Sequence, residues 1–347
     1  MPRILVVAPN WIGDALMAHP LLMRLREKNP GVEIDVLAPA WVAPVVRRMA
    51  EVGDVIAAPL RHKALQLGER WRLARALNGR RYGEAIVLPN SWKSALLPFF
   101  AGIPVRTGYV GEARYGLLNV LHKKDEAPMP LHYARLAEPP GAQVKRPLPE
   151  PRLRVEPREI EAARRRFDIE GPYGVFCPGA EYGPAKRWPY FPELSKQLQT
   201  QTLILGSAND REAAQGIAGR NLVGETSLDE AIALIAGADY VVTNDSGLMH
   251  VAAALGRPQV ALFGSSSPAH TPPLSSAARV LWLRVECSPC FERECPLGHF
   301  RCMREMTVET VLQEIQNLAA YAPRSSPPRR TPRTPSTRRS SAATSRA

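Results

Sequence analysis

Residues 3–38 read RILVVAPNWIGDALMAHPLLMRLREKNPGVEIDVLA, and that stretch sets the fold. The apolar run 3–8 stops at Pro9-Asn10, and the run 32–38 begins just after Asn29-Pro30-Gly31. Both read as short buried strands bounded by turn residues. Between them a helical pattern covers 14–28. A strand, a helix and a strand in such quick succession predict a parallel α/β unit. Residues 85–89 (AIVLP) add a further buried strand, and the Pro-rich stretch 139–157 reads as a linker.

The same alternation then restarts. A basic helix is predicted at 158–167 and strands at 174–177 (GVFC), 202–205 (TLIL), 221–223, 240–243 (YVVT) and 259–263 (QVALF). Helices are expected at 192–199, 210–218, 228–236, 247–255 and, with Thr307 as its N-cap, 307–321. No short repeat links the two halves. The expected architecture is two doubly wound α/β domains, 1–157 and 158–322, whose strand C-termini face a shared cleft, where open α/β sheets bind ligands.

Composition limits the function classes. Of the net charge of +12 over 347 residues, seven arginines fall in 323–347, which holds no acid, leaving +5 for the rest. That tail of Pro, Ser, Thr and Arg has no apolar residue beyond Ala, so disorder is expected there. The mildly basic body argues against a nucleic-acid binder and suits an acidic substrate or an anionic membrane surface. No targeting segment is recognisable, and the apolar stretch 95–105 is far short of the ~20 residues that span a bilayer. An intracellular protein with at most peripheral membrane contact is expected. Among the five cysteines, Cys287, Cys290, Cys295 and Cys302 cluster as C-x2-C-x4-C-x6-C. Structural zinc and buried thiols are the two readings of that cluster.

Three loops carry chemistry. Asn10-Trp11-Ile12-Gly13-Asp14 leaves the first strand and opens the first helix. Asp14 there reads either as an N-cap or as a general base for an acceptor hydroxyl. Residues 178–189 (PGAEYGPAKRWP) combine Gly flexibility with Lys186 and Arg187, cations suited to a diphosphate. Residues 243–250 (TNDSGLMH) end a strand and begin a helix, so the backbone N–H groups at Ser246 and Gly247 offer an anion site, with His250 one turn further on. Gly264-Ser265-Ser266-Ser267 repeats that theme. No Asp-x-Asp motif is present, so a metal-bridged diphosphate is not indicated. Nor does a G-x-G-x-x-G follow the first strand, which argues against a dinucleotide oxidoreductase.

Taken together, NWIGDALMAHP, PGAEYGPAKRWP and TNDSGLMHVAAALGRPQVALFGSSSP resemble the bacterial ADP-heptose:lipopolysaccharide heptosyltransferases of glycosyltransferase family 9, over about residues 3–321. The segment CSPCFERECPLGHFRCM is similar to the heptosyltransferase II branch. The resemblance implies a GT-B fold, with the acceptor, heptosyl-Kdo2-lipid A, on the N-terminal domain and ADP-heptose on the C-terminal one. It implies Asp14 as catalytic base in a single inverting displacement that needs no cofactor. Lys186, Glu225, Asp245, Ser246, Gly247, His250 and Ser265 are implied on the donor, and Asn10, Trp11, Gly13, Arg61 and Lys63 on the acceptor. The basic stretches Arg61–Arg81 and Arg106–Lys124 would then face an anionic acceptor at the cytoplasmic side of the inner membrane. Competing readings are a GT-B transferase with another nucleotide sugar or acceptor, such as heptosyltransferase I, and a non-catalytic nucleotide-sugar binder. A zinc-dependent nucleic-acid binder is a third.

Overall fold

The computed structural model describes residues 3–59 and 65–321. The Arg-rich tail, and with it the disorder expected there, lies outside the described residues. The N-terminal sheet is built from β1 (Arg3–Val7), β2 (Glu33–Pro39), β3 (Val52–Ala58), β4 (Glu84–Val87), β5 (Val105–Tyr109) and β6 (Val120–His122). The C-terminal sheet holds β7 (Tyr173–Cys177), β8 (Gln201–Ile204), β9 (Arg220–Asn221), β10 (Tyr240–Asn244), β11 (Gln259–Phe263) and β12 (Ala278–Trp282). Every pairing is parallel. The orders are β3-β2-β1-β4-β5-β6 and β12-β11-β10-β7-β8-β9, the same winding in each half. These are two Rossmann-like domains. The central strands β7, β10 and β11 are buried along their whole length, which is why they read as unbroken apolar runs rather than alternating ones.

The predicted helix at 14–28 is two helices, Ile12–Met17 and His19–Lys28, joined at Ala18 ahead of Pro20. Pro20 has no N–H to donate and is tolerated at the start of a helix but not in its middle. Residues 210–218 are not the helix expected. A 3-10 turn at Ala208–Asp210 passes into irregular turns containing Gly216 and Gly219, both at positive φ. Helix Val308–Tyr321 forms as read, with the Thr307 hydroxyl accepting from the Thr310 N–H, and its Val311 and Ile315 pack in one cluster with Val260 and Leu262 of β11.

The halves are not loosely strung. One apolar cluster runs through both, from Val6, Leu16 and Ile34 to Val175, Ile232 and Val251. The seam is reinforced by Arg48, whose guanidinium lies 2.7 Å from Glu159 and 2.8 Å from Asp229. The Met129 N–H also donates to the His270 carbonyl across it. Among the described residues no helix is long and apolar enough to cross a membrane.

Candidate active site

Each sheet reverses its winding where its first strand meets its fourth, between β1 and β4 in one and β7 and β10 in the other. The loops leaving strands at such a point splay apart and open a crevice. Asp14 follows β1, Lys186 follows β7, and Asp245 and Ser246 follow β10, so the sequence-predicted residues gather at the two crevices.

Asp14 does not cap the first helix. Trp11 holds the N-cap position, and Asp14 is the third helical residue, half-buried in the first turn. Burial raises its carboxyl to about 6. A hydrogen bond from the Tyr133 hydroxyl and the charge of Lys186 pull the other way, and Asp245 adds to the rise. At neutral pH such a group is mostly ionised yet far more basic than a free aspartate, a combination suited to a general base. The electrostatic reach of Lys186 and Asp245 onto Asp14 spans the two halves of the chain.

The Lys186 ammonium lies 2.5 Å from the buried Asp245 carboxylate, whose same oxygen accepts from the Ser266 hydroxyl at 2.6 Å. Asn244 fixes the loop that carries Lys186. Its amide donates to the Pro178 carbonyl and its oxygen accepts from the Trp188 N–H. Ser246 stands at the N-cap of helix Gly247–Ala254 with no side-chain cap, its hydroxyl 3.3 Å from that of Thr243. The first N–H groups of that helix have no partner within it, and they carry its positive end.

His250 is buried, and burial drives its pKa down to about 4, with Asp245 opposing and Lys186 assisting. It is a neutral imidazole at pH 7. Its ring packs on Gly13, where an added Cβ would come within 2.8 Å of Cδ2. Facing it, a Cβ on Gly247 would lie 3.4 Å from that of Ile12. Two glycines therefore let the first turns of two helices from different halves meet almost backbone to backbone.

The remaining predicted residues divide. The Asn10 carbonyl accepts from the Trp41 indole at 2.8 Å, and Trp11 is half exposed. Ser265 is buried, and its hydroxyl has no hydrogen-bond partner among the described residues. Glu225 is exposed in the turn before helix Leu228–Ala236. Arg61 and Lys63 lie outside the described residues. Several other members of the basic stretches serve the fold instead of facing a ligand. Arg70 and Arg106 donate to backbone carbonyls, Arg80 pairs with Asp54 and Asp35, and Arg114 is wholly buried on the carbonyls of Pro89 and Tyr109.

The cysteine segment corrects one expectation. Cys287, Cys290, Cys295 and Cys302 line one pocket with Ala185, Ser265 and His299. Yet among the described residues no three His, Cys, Asp or Glu side chains are arranged to hold a metal, so structural zinc is unsupported. Cys302 is pushed up to about 11 by burial and its three neighbours. Burial also raises Cys295, but hydrogen bonds from the backbone N–H groups of Phe300, Leu297, His299 and Gly298 outweigh it and leave the thiol below its usual value.

Sequence reasoning missed Tyr133, and it gave Ser266 and Tyr182, which stand in the quoted loops, no separate role. The first lies in a helix (Met129–Ala134) with no motif of its own. The other two act through residues far away in the chain.

The sequence profile of Glycosyltransferase family 9 (heptosyltransferase) matches residues 70–301. The chain is 46% identical over 341 residues to lipopolysaccharide heptosyltransferase 2 of Escherichia coli (strain K12), covering 91% of this chain and 98% of that one. It is 41% identical to lipooligosaccharide heptosyltransferase 2 of Haemophilus influenzae, over 92% and 99%. The solved structure of Escherichia coli ADP-heptose lps heptosyltransferase II superposes with a TM-score of 0.82 at 43% identity, covering 92% of this chain and 98% of that one.

Proposed function

This chain belongs to glycosyltransferase family 9, the heptosyltransferases, and from that premise we propose that it is a lipopolysaccharide heptosyltransferase II with Asp14 as its base. It moves heptose from ADP-heptose onto the inner core of lipopolysaccharide. The acceptor is heptosyl-Kdo2-lipid A, reached at the cytoplasmic face of the inner membrane without insertion. Residues 1–157 hold the acceptor and 158–322 the donor.

The observation that carries this reading is the carboxyl of Asp14, raised to about 6, within electrostatic reach of Lys186 and Asp245 of the other half. In the reaction the Asp14 carboxylate takes the proton of the acceptor hydroxyl as its oxygen attacks the anomeric carbon from the face opposite the diphosphate. The bond from that carbon to the diphosphate oxygen breaks, the configuration inverts and ADP departs. Lys186 and the N–H groups that open helix Gly247–Ala254 stabilise the charge gathering on ADP. Asp245 and Ser266 hold the Lys186 ammonium in place. His250, neutral and packed on Gly13, adds no charge beside the base. No residue in this scheme requires a metal.

Incubation with ADP-heptose and heptosyl-Kdo2-lipid A tests the function through ADP release and a product heavier by one heptose. Asp14→Asn should cut turnover by at least about 100-fold while ADP binding stays within a few-fold. Transfer to an acceptor that lacks heptose, and not to one that carries it, would replace the proposal with a heptosyltransferase I activity.

A further inference from the structure

The cysteine-rich segment after β12 is bound to the donor loops by its backbone. The Phe291 N–H donates to the Ser265 carbonyl at 2.7 Å, and the Phe291 carbonyl accepts from the Tyr182 hydroxyl. The Ser288 hydroxyl donates to the Gly264 carbonyl at 2.6 Å. The Arg293 carbonyl accepts from the Ala185 N–H at 3.0 Å, one residue before Lys186. This last contact is built into the loop itself. Gly183 sits at φ +148, where a Cβ would fall 2.4 Å from the Arg293 carbonyl oxygen. Any other residue at 183 would drive the segment off the loop.

That backbone contact sets the Arg293 side chain. Its guanidinium carbon lies 5.3 Å from the centroid of the Tyr182 ring, and the Lys186 ammonium lies 4.9 Å from the same centroid. Two cations therefore share one aromatic ring. Their circumstances differ. Lys186 is mostly buried and neutralised by Asp245. Arg293 is exposed and forms no ion pair among the described residues. A ring quadrupole orients a guanidinium but does not neutralise it, so the positive charge of Arg293 is left for a ligand. Its planar fork matches two oxygens of one phosphate, which a lysine cannot do.

We propose that Arg293 is a second cation of the donor site, delivered by the cysteine-rich segment, and that it binds the terminal phosphate of the nucleoside diphosphate held at Lys186. The proposal rests on the reading of the Lys186 loop as the diphosphate site. It gives the segment a purpose that needs no metal: it holds an arginine against a loop from the far side of the sheet, with Tyr182 as the platform between.

Calorimetric titration of the full chain with ADP and with AMP separates a phosphate contact from a structural one. Arg293→Gln should weaken ADP by about ten- to hundredfold, the range of a charge-assisted hydrogen bond, and AMP by no more than about twofold. Arg293→Lys should recover part of the loss. Because the side chain is exposed, the thermal midpoint should not move. Unchanged ADP affinity in Arg293→Gln, or equal weakening of ADP and AMP, overturns the proposal. Lys186→Met, titrated alongside, tests the parent reading. If Lys186 matters for ADP and Arg293 does not, only the second cation is lost. If neither matters, the diphosphate lies elsewhere.

Discussion

The Lys186 ammonium and the Asp245 carboxylate form a buried pair 2.5 Å apart, in the place we propose for the grip on a sugar diphosphate. A carboxylate so near an anion site looks counterproductive. Its effect is to keep a long, flexible cation ordered when the site is empty, at the cost of a competing partner when the donor arrives.

This pairing predicts an uneven pattern of damage. Lys186→Met should destabilise the fold by about 3 kcal/mol, because Asp245 is then buried without its cation. Adding Asp245→Asn should return most of that stability, since no charge remains to be compensated. Turnover should stay low in both. Thermal melts and ADP titration of the two single variants and the double variant decide the matter. A double variant no more stable than Lys186→Met would show that the pair is not the source of the loss.

The Asp14 carboxyl, raised from 3.8 to about 6 by burial, should leave its mark on the pH–rate profile. The rate constant kcat/KM should climb through about pH 6 as the base loses its proton and level off above. Tyr133 donates a hydrogen bond that lowers this pKa, so Tyr133→Phe should move the rising limb to higher pH. A limb that stays near pH 4 would mean that Asp14 is not the titrating group.

The same rise has a cost in stability with the opposite pH sense from a salt-bridged carboxylate. Folding favours the protonated form of Asp14. The penalty is therefore absent below about pH 4, grows between about 4 and 6, and is fully present above. A carboxyl lifted from 3.8 to about 6 implies a penalty on the order of 3 kcal/mol. Asp14→Asn should thus be more stable than the natural chain at pH 8 and nearly equal to it at pH 4. Chemical denaturation at the two values checks this directly.

Gly13→Ala places a methyl group 2.8 Å from Cδ2 of a His250 ring that has almost no free space around it. The expected loss is about 1–3 kcal/mol, with turnover falling more than ADP affinity because the disturbed residue adjoins Asp14. His250→Ala in that background should restore part of the stability. Additive losses in the double variant would place the strain elsewhere.

Alkylation should rank the cysteines by environment. Cys295, with its thiol lowered by four backbone N–H groups, should react first with iodoacetamide at pH 8. Cys302 and the fully buried Cys177 should react last. Peptide mapping after timed quenching gives the order.

The interior strands were legible in the sequence because they are buried on both faces. β1, β2, β4, β7, β8, β10 and β11 all read as apolar runs. β3, with Asp54 and a half-exposed pattern, β5, with Arg106, the three-residue β6 and the partly exposed β12 carry no such run, whereas the edge strand β9, expected at 221–223, forms at Arg220–Asn221. The site followed the same logic. Asp14, Lys186 and Asp245 lie where a strand gives way to the first helical turn or to the connection leading to it, and there Gly, Pro and small polar residues mark the sequence. Tyr133 carries no local mark, and Ser266 and Tyr182, though they stand in the marked loops, show their roles only through partners brought to them by folding. The four cysteines are the converse case, a local pattern that left two readings open and for which the described residues support no metal site.

The contact of Gly13 with His250 and of Gly247 with Ile12 gives the cleft a fulcrum. With no side chain thick enough to slide between the two helix starts, any relative swing of the halves turns about that point. Asp14, one residue from it, travels least, and the outer rims travel furthest.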